Sequence, residues 1–150
     1  MLKVVLDTNV LINANKGEFS YPKRILDLIL RGAIEAVITS QVWRENQLLV
    51  TRLVKDEKLK AAIQDFLIMA KRVEPARLEV VIEDKEDIKL LQAAIGGRAN
   101  FLITEDRHLL DLRNFDDFDI VTPEQFWHRW EQGSQDNSSW KNWARNLVSN

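Results

Sequence analysis

The chain has 150 residues, 45% hydrophobic and 29% charged, which is enough apolar material for one buried core in a single ordinary domain. It has no Cys and only two His, which excludes a disulfide scaffold, a zinc ribbon, an iron–sulfur site, a thiol nucleophile and a histidine-rich metal centre, and fits a reducing cytoplasm. A net charge of −2 gives the whole molecule no strong pull toward nucleic acid, and any metal must be held by oxygen, as Mg²⁺, Mn²⁺ or Ca²⁺ are.

Leu2–Leu6 is short, apolar and closed by Asp7, which predicts a buried strand and leaves no room for a signal-peptide core. No stretch approaches the ~18 apolar residues of a membrane span, so no membrane association is expected. Val10-Leu11-Ile12 reads as the first turn of a helix. Tyr21–Arg31 places Ile25, Leu28 and Ile29 at helical spacing and ends at Gly32. Ala36–Ile38 is a second strand. Ser40 is an N-cap candidate for a helix carrying Val42, Trp43, Leu48, Leu49 and Leu53 on one side, and Asp56–Arg72 predicts a further amphipathic helix.

Leu78–Ile82 is expected as a third strand from its β-branched run, and Asp84 as the cap of a helix stopped by Gly96-Gly97. Phe101–Ile103 and Ile120-Val121 complete the strands. Thr122-Pro123-Glu124-Gln125 has the pattern of a capping box. Strands alternating with helices predict a three-layer α/β/α domain with a mainly parallel sheet of four to five strands, over residues 1–131. Residues 132–150, polar but holding Trp140 and Trp143, read as an appended tail.

In such a sheet, ligands bind at the C-terminal strand ends. Asp7 follows strand one, Asp106 follows strand four, Asp87 lies one turn into the helix before it, and Glu45 lies early in the helix after strand two. Residues 83–119 concentrate the acids, with ten Asp and Glu against five Lys and Arg. Four carboxylates gathered without His or Cys repel one another unless a hard divalent cation neutralises them. Such an ion lowers the pKa of water and stabilises charge on a phosphodiester. Taken singly, each acid reads as a helix cap or a solvated side chain sooner than as a catalytic group, and it is their joint placement at strand ends that points to a site.

Several stretches resemble one family. Val4-Val5-Leu6-Asp7-Thr8-Asn9-Val10-Leu11 resembles the opening motif of PIN-domain ribonucleases, and Ser40-Gln41-Val42-Trp43-Arg44-Glu45 is similar to their second. Asp84-Lys85-Glu86-Asp87 with Leu90-Leu91-Gln92-Ala93-Ala94 resembles the third, and Phe101-Leu102-Ile103-Thr104-Glu105-Asp106 the fourth. The nearest branch in pattern is the toxins of bacterial and archaeal toxin–antitoxin pairs, akin to VapC. The resemblance implies a metal-dependent endoribonuclease in which Asp7, Glu45, Asp87 and Asp106 surround one or two Mg²⁺ or Mn²⁺ ions. It also implies an RNA substrate, an antitoxin partner and a homodimer. Lys85 and Glu105 stand where relatives often carry Pro and Gly.

Supporting roles fall to Thr8, Asn9, Ser40 and Thr104, whose polar groups suit hydrogen bonds around the acids. A PIN-fold nuclease unconnected to an antitoxin and a non-catalytic binding module are the alternatives. A haloacid-dehalogenase-like phosphatase would want a second Asp where Asn9 stands. Trp127 and Trp130, three residues apart, are expected in the core.

Overall fold

In the computed structural model, which describes residues 1–78, 82–112, 115 and 117–135, the chain opens with strand β1 (Lys3–Leu6). There follow α1 (Thr8–Asn13), a short 3₁₀ turn, α2 (Tyr21–Leu30), β2 (Glu35–Ile38), α3 (Ser40–Leu53) and α4 (Glu57–Met69). Then come β3 (Lys71–Arg72), α5 (Lys85–Gly96), β4 (Phe101–Ile103), α6 (Arg107–Leu110), β5 (Asp119–Val121) and α7 (Pro123–Gln135). The strands form one sheet in the order β3-β2-β1-β4-β5, and every neighbouring pair is parallel.

Parallel strands covered on both faces read as unbroken apolar runs, and β1 and β4 do so. Val4, Val5, Leu6, Phe101, Leu102 and Ile103 are all buried. Leu6 sits opposite Ile103, and Ile103 opposite Val121. Right-handed crossovers place α1 to α4, which carry the chain from β1 outward to β3, on one face. The return from β3 to β4 puts α5 on the other, against β1, β2 and β4. Phe126 of α7 meets Phe101 edge-on at 5.4 Å, both fully buried; each such ring stabilises the fold by about 1.5–3 kcal/mol through burial alone.

Two expected punctuation marks are present. Gly32 follows α2 with φ +77°, the left-handed conformation that glycine adopts without steric cost. Thr122 and Gln125 exchange hydrogen bonds of 2.9 and 3.1 Å between side chain and backbone, completing the capping box of α7. Trp127 and Trp130 are partly buried against the core.

Other expectations are corrected. Lys71–Arg72 is a strand that the sequence did not announce; of the expected strand Leu78–Ile82, residues 79–81 lie outside the described residues, and Leu78 and Ile82 themselves are not in a strand. The helix expected to reach Arg72 ends at Met69, because Ala70 turns extended and the next two residues pair with Val37 and Ile38 of β2. A two-residue, charged, exposed edge strand carries no apolar signature, which suits an edge protected against further pairing. On α3 the buried stripe is Val42, Asn46 and Val50, while Leu48, Leu49 and Leu53 face solvent. A polar Asn in the middle of the stripe hid the true helical face. The helix cap is Thr39, whose Oγ1 accepts from the Val42 N–H at 3.3 Å, rather than Ser40.

Gly96 and Gly97 do more than stop α5. A Cβ on Gly96 would stand 2.0 Å from the Glu74 carbonyl oxygen, and one on Gly97 would stand 2.7 Å from Val37 Cγ2. These residues let the helix end press against its neighbours, and the left-handed position falls one residue later, on Arg98 (φ 53°). The 132–150 segment begins inside α7, and Trp140 and Trp143 lie outside the described residues.

Candidate active site

The three central strands all hand over to helices at the same sheet edge. Asp7 follows β1 and caps α1, accepting the Asn9 N–H at 3.3 Å; Asp106 follows β4 and caps α6, accepting the His108 N–H at 2.9 Å. The capping chemistry that ends each strand therefore also delivers a carboxylate to the edge. The cap reading and the site reading of these residues hold together. Asp84 is a cap as well, for α5, and Asp87 stands one turn further in.

A cleft of about 260 Å³ at this edge is lined by Asp7, Glu45, Asp87 and Asp106, together with Thr8, Asn9, Asp84, Glu86 and Lys89. Val42, Leu49, Leu90 and Leu109 supply its apolar walls. All four carboxylates selected from the sequence thus share one cavity. Of the supporting residues, Thr8 and Asn9 line it, whereas Ser40 is exposed and outside it, its backbone carbonyl accepting from Arg44 Nε away from the cleft.

Thr104 holds the centre. It is fully buried, its hydroxyl donates to Asp7 Oδ2 at 2.7 Å, and its oxygen accepts the Asp106 N–H at 3.0 Å. Thr8 Oγ1 donates to the Asn46 side-chain oxygen, which ties the start of α1 to the buried face of α3 next to Glu45. Asn46 is completely buried, and its Nδ2 has no partner among the described residues.

Burial pushes the Asp7 carboxyl above its ordinary range; Thr104 and the Asn9 N–H pull it back, and the negative charges of Asp106 and Glu86 raise it further. Asp87, only 4% exposed, is raised to about 6, mainly by burial and then by Asp84 and Asp106, with His108 opposing. Among the described residues, nothing donates a hydrogen bond to the Asp87 carboxylate.

Glu45 is in a different state. Its Oε1 accepts from Lys89 Nζ at 2.6 Å, and the same ammonium reaches Glu86 Oε1 at 3.0 Å. The hydrogen bond to Glu45, then that to Glu86, raises the Lys89 pKa. The cleft is thus divided into a Glu45–Lys89–Glu86 bridge and four aspartates, Asp7, Asp84, Asp87 and Asp106, that no described Lys or Arg pairs with; the His108 imidazole stands 3.6 Å from Asp106.

The donor set is all oxygen, as hard divalent ions require. Among the described residues, however, no three His, Asp or Glu side chains already form a ready metal-binding group. Asn46 and Lys89 were missed by sequence reasoning. The i,i+3 spacing of Glu86 and Lys89 was the available signal for the second, and a polar residue within an apolar helical stripe for the first.

An open parallel sheet with carboxylates gathered at its C-terminal edge is the architecture of the PIN domain. Residues 3–108 match the family model described as PIN domain, and the chain belongs to that family. It is 26% identical over 145 residues to an uncharacterized protein of Methanocaldococcus jannaschii, covering 87% of this chain and 93% of that one. Its fold is similar to a chain in the crystal structure of VapBC2 from Rickettsia felis bound to a DNA fragment from their promoter. That match has a TM-score of 0.55 and 17% identity, over 81% of this chain and 98% of the other.

Proposed function

We propose that this protein is an endoribonuclease dependent on Mg²⁺ or Mn²⁺, with Asp7, Glu45, Asp87 and Asp106 holding the ion. One observation carries the reading most: Asp7 and Asp87 are buried, raised in pKa and without a cation, in the same cleft as Asp106 and Glu45. Carboxylates kept in that state weaken the metal-free protein, and a divalent ion supplies the charge the cleft lacks. When bound, such an ion lowers the pKa of water for attack on phosphorus and stabilises the charge that grows on the phosphodiester.

The chain's own contribution is placement. Thr104 fixes the Asp7 carboxylate through Oδ2, and the Asn9 N–H fixes it through Oδ1. Asp106 is oriented by its own cap bond to His108. With no Cys in the chain and neither His among the residues lining the cleft, activated water is the nucleophile this site supports.

We place the protein in a toxin–antitoxin pair, as the toxin, and as a homodimer. The resemblance of its motifs to that branch and the structural likeness to VapBC2 support this. Leu48, Leu53, Ile68 and Met69 on α3 and α4 are 47–80% exposed, apolar surface of the kind that protein partners cover. No helix among the described residues is long and apolar enough to cross a membrane.

The test is incubation of the purified protein with single-stranded RNA, with and without Mn²⁺, beside Asp7→Asn. Cleavage by the wild type only with Mn²⁺, and none by the variant, is expected. A fully active Asp7→Asn would sink the assignment.

A further inference from the structure

We infer that Lys89 fills the place of a second metal ion, so that this cleft takes one divalent cation and uses the lysine ammonium as its other positive charge. The inference rests on the nuclease reading above and adds the number and nature of the cations.

Two-metal nucleases set two ions about 3.5–4 Å apart, so that both the attacking and the leaving oxygen of the phosphodiester face positive charge. The second such position needs its own carboxylates. Here Glu45 and Glu86 converge on the Lys89 ammonium at 2.6 and 3.0 Å, an arrangement in which a charged nitrogen sits between two carboxylates as an ion would. The lysine comes from α5, as Asp87 does, and lines the same cleft as Asp7 and Asp106. Its side chain is 19% exposed and is held at the cleft rim between half-buried Glu45 and exposed Glu86.

An ammonium has three N–H donors. Glu45 and Glu86 take two of them, and among the described residues no acceptor takes the third. That donor is available to a phosphate oxygen entering the cleft, and lysine serves phosphate well as a compact point charge. Glu45 presents Oε1 to the lysine, and among the described residues no hydrogen bond engages its Oε2, in a cleft it shares with Asp7, Asp87 and Asp106. A divalent ion in the lysine's place would have to displace a charge already held by two partners.

The experiment counts Mn²⁺ bound per chain by isothermal titration calorimetry, with free Mn²⁺ followed by electron paramagnetic resonance, for wild type, Lys89→Met and Lys89→Arg. The wild type is expected to bind one ion. Lys89→Met, which frees Glu45 and Glu86, is expected to bind a second, and Lys89→Arg, which keeps the positive charge, to stay at one. Two ions in the wild type, or one ion of unchanged affinity in a folded Lys89→Met, would overturn the inference and leave the nuclease reading standing. No ion bound by the wild type would overturn both. Two ions in the wild type overturn the inference even where the Met variant fails to fold, and Lys89→Gln then replaces Lys89→Met as the variant that frees Glu45 and Glu86.

Discussion

The Thr104 hydroxyl donates to Asp7 Oδ2 at 2.7 Å while its oxygen accepts the Asp106 N–H at 3.0 Å, so one buried side chain joins the acidic residues that follow β1 and β4. This link crosses 97 residues of sequence and ties the Asp7 carboxylate to the backbone that carries Asp106. It makes Thr104 a positioning residue for the pair.

Thr104→Val keeps the volume and removes the hydroxyl. Mn²⁺ affinity is expected to fall about 10–100-fold, the usual consequence of losing a group that orients a ligand. Thr104→Ser should restore most of it. Calorimetric titration of the three proteins checks this, and equal affinity in Thr104→Val would contradict the positioning role.

Asp87 predicts a pH dependence of the metal-free fold. Its folded pKa of about 6 exceeds its ordinary 3.8, so the folded state binds this proton more tightly than the unfolded chain does. Stability from this group is therefore present at low pH and is lost as pH rises from about 4 through about 6. A shift of about two units corresponds to roughly 3 kcal/mol at most; the raised Asp7 acts in the same direction. In EDTA at pH 7, Asp87→Asn is expected to be more stable than wild type by about 1–3 kcal/mol, and the difference should shrink toward pH 4. Urea denaturation at the two pH values measures it. A destabilised variant at pH 7 would refute the assignment of strain to this carboxylate.

Asn46 holds the Thr8 hydroxyl from the buried face of α3. Asn46→Ala removes that acceptor and leaves a void beside Glu45, at an expected cost of about 1–3 kcal/mol in unfolding free energy. Chemical denaturation with a loss below about 0.5 kcal/mol would show that the contact is dispensable.

Gly96→Ala offers a control remote from the chemistry. Its Cβ would meet the Glu74 carbonyl oxygen at 2.0 Å, so the α5 end must move away. A drop of about 1–3 kcal/mol is expected from such overpacking, read by thermal melting, with Mn²⁺ stoichiometry unchanged. An unchanged melting temperature would contradict the close approach.

The strands and acids were legible because their physics is local. Val4-Val5-Leu6 and Phe101-Leu102-Ile103 are fully buried strands that must be apolar throughout, and Asp7 and Asp106 mark where they end. Lys71-Arg72 was illegible for the opposite reason, since an edge strand paired on one side needs no apolar residue. The α3 face was misread because Asn46 spends a core position on a hydrogen bond to Thr8. Lys89 escaped notice because its meaning depends on Glu45, 44 residues away in sequence. The carboxylates were visible in sequence; the cation between two of them was a matter of three-dimensional proximity.

The proposed chemistry depends on these carboxylates holding a divalent ion for RNA hydrolysis. The most direct measurement strips the protein with EDTA, assays cleavage of single-stranded RNA, and then restores Mn²⁺, for wild type and Asp106→Asn in parallel. Wild-type cleavage is expected to be lost in EDTA and to return with Mn²⁺, while Asp106→Asn stays folded and recovers less than about 1% of it, as for loss of a group essential to the reaction. Undiminished cleavage in EDTA, or full recovery by Asp106→Asn, would contradict it.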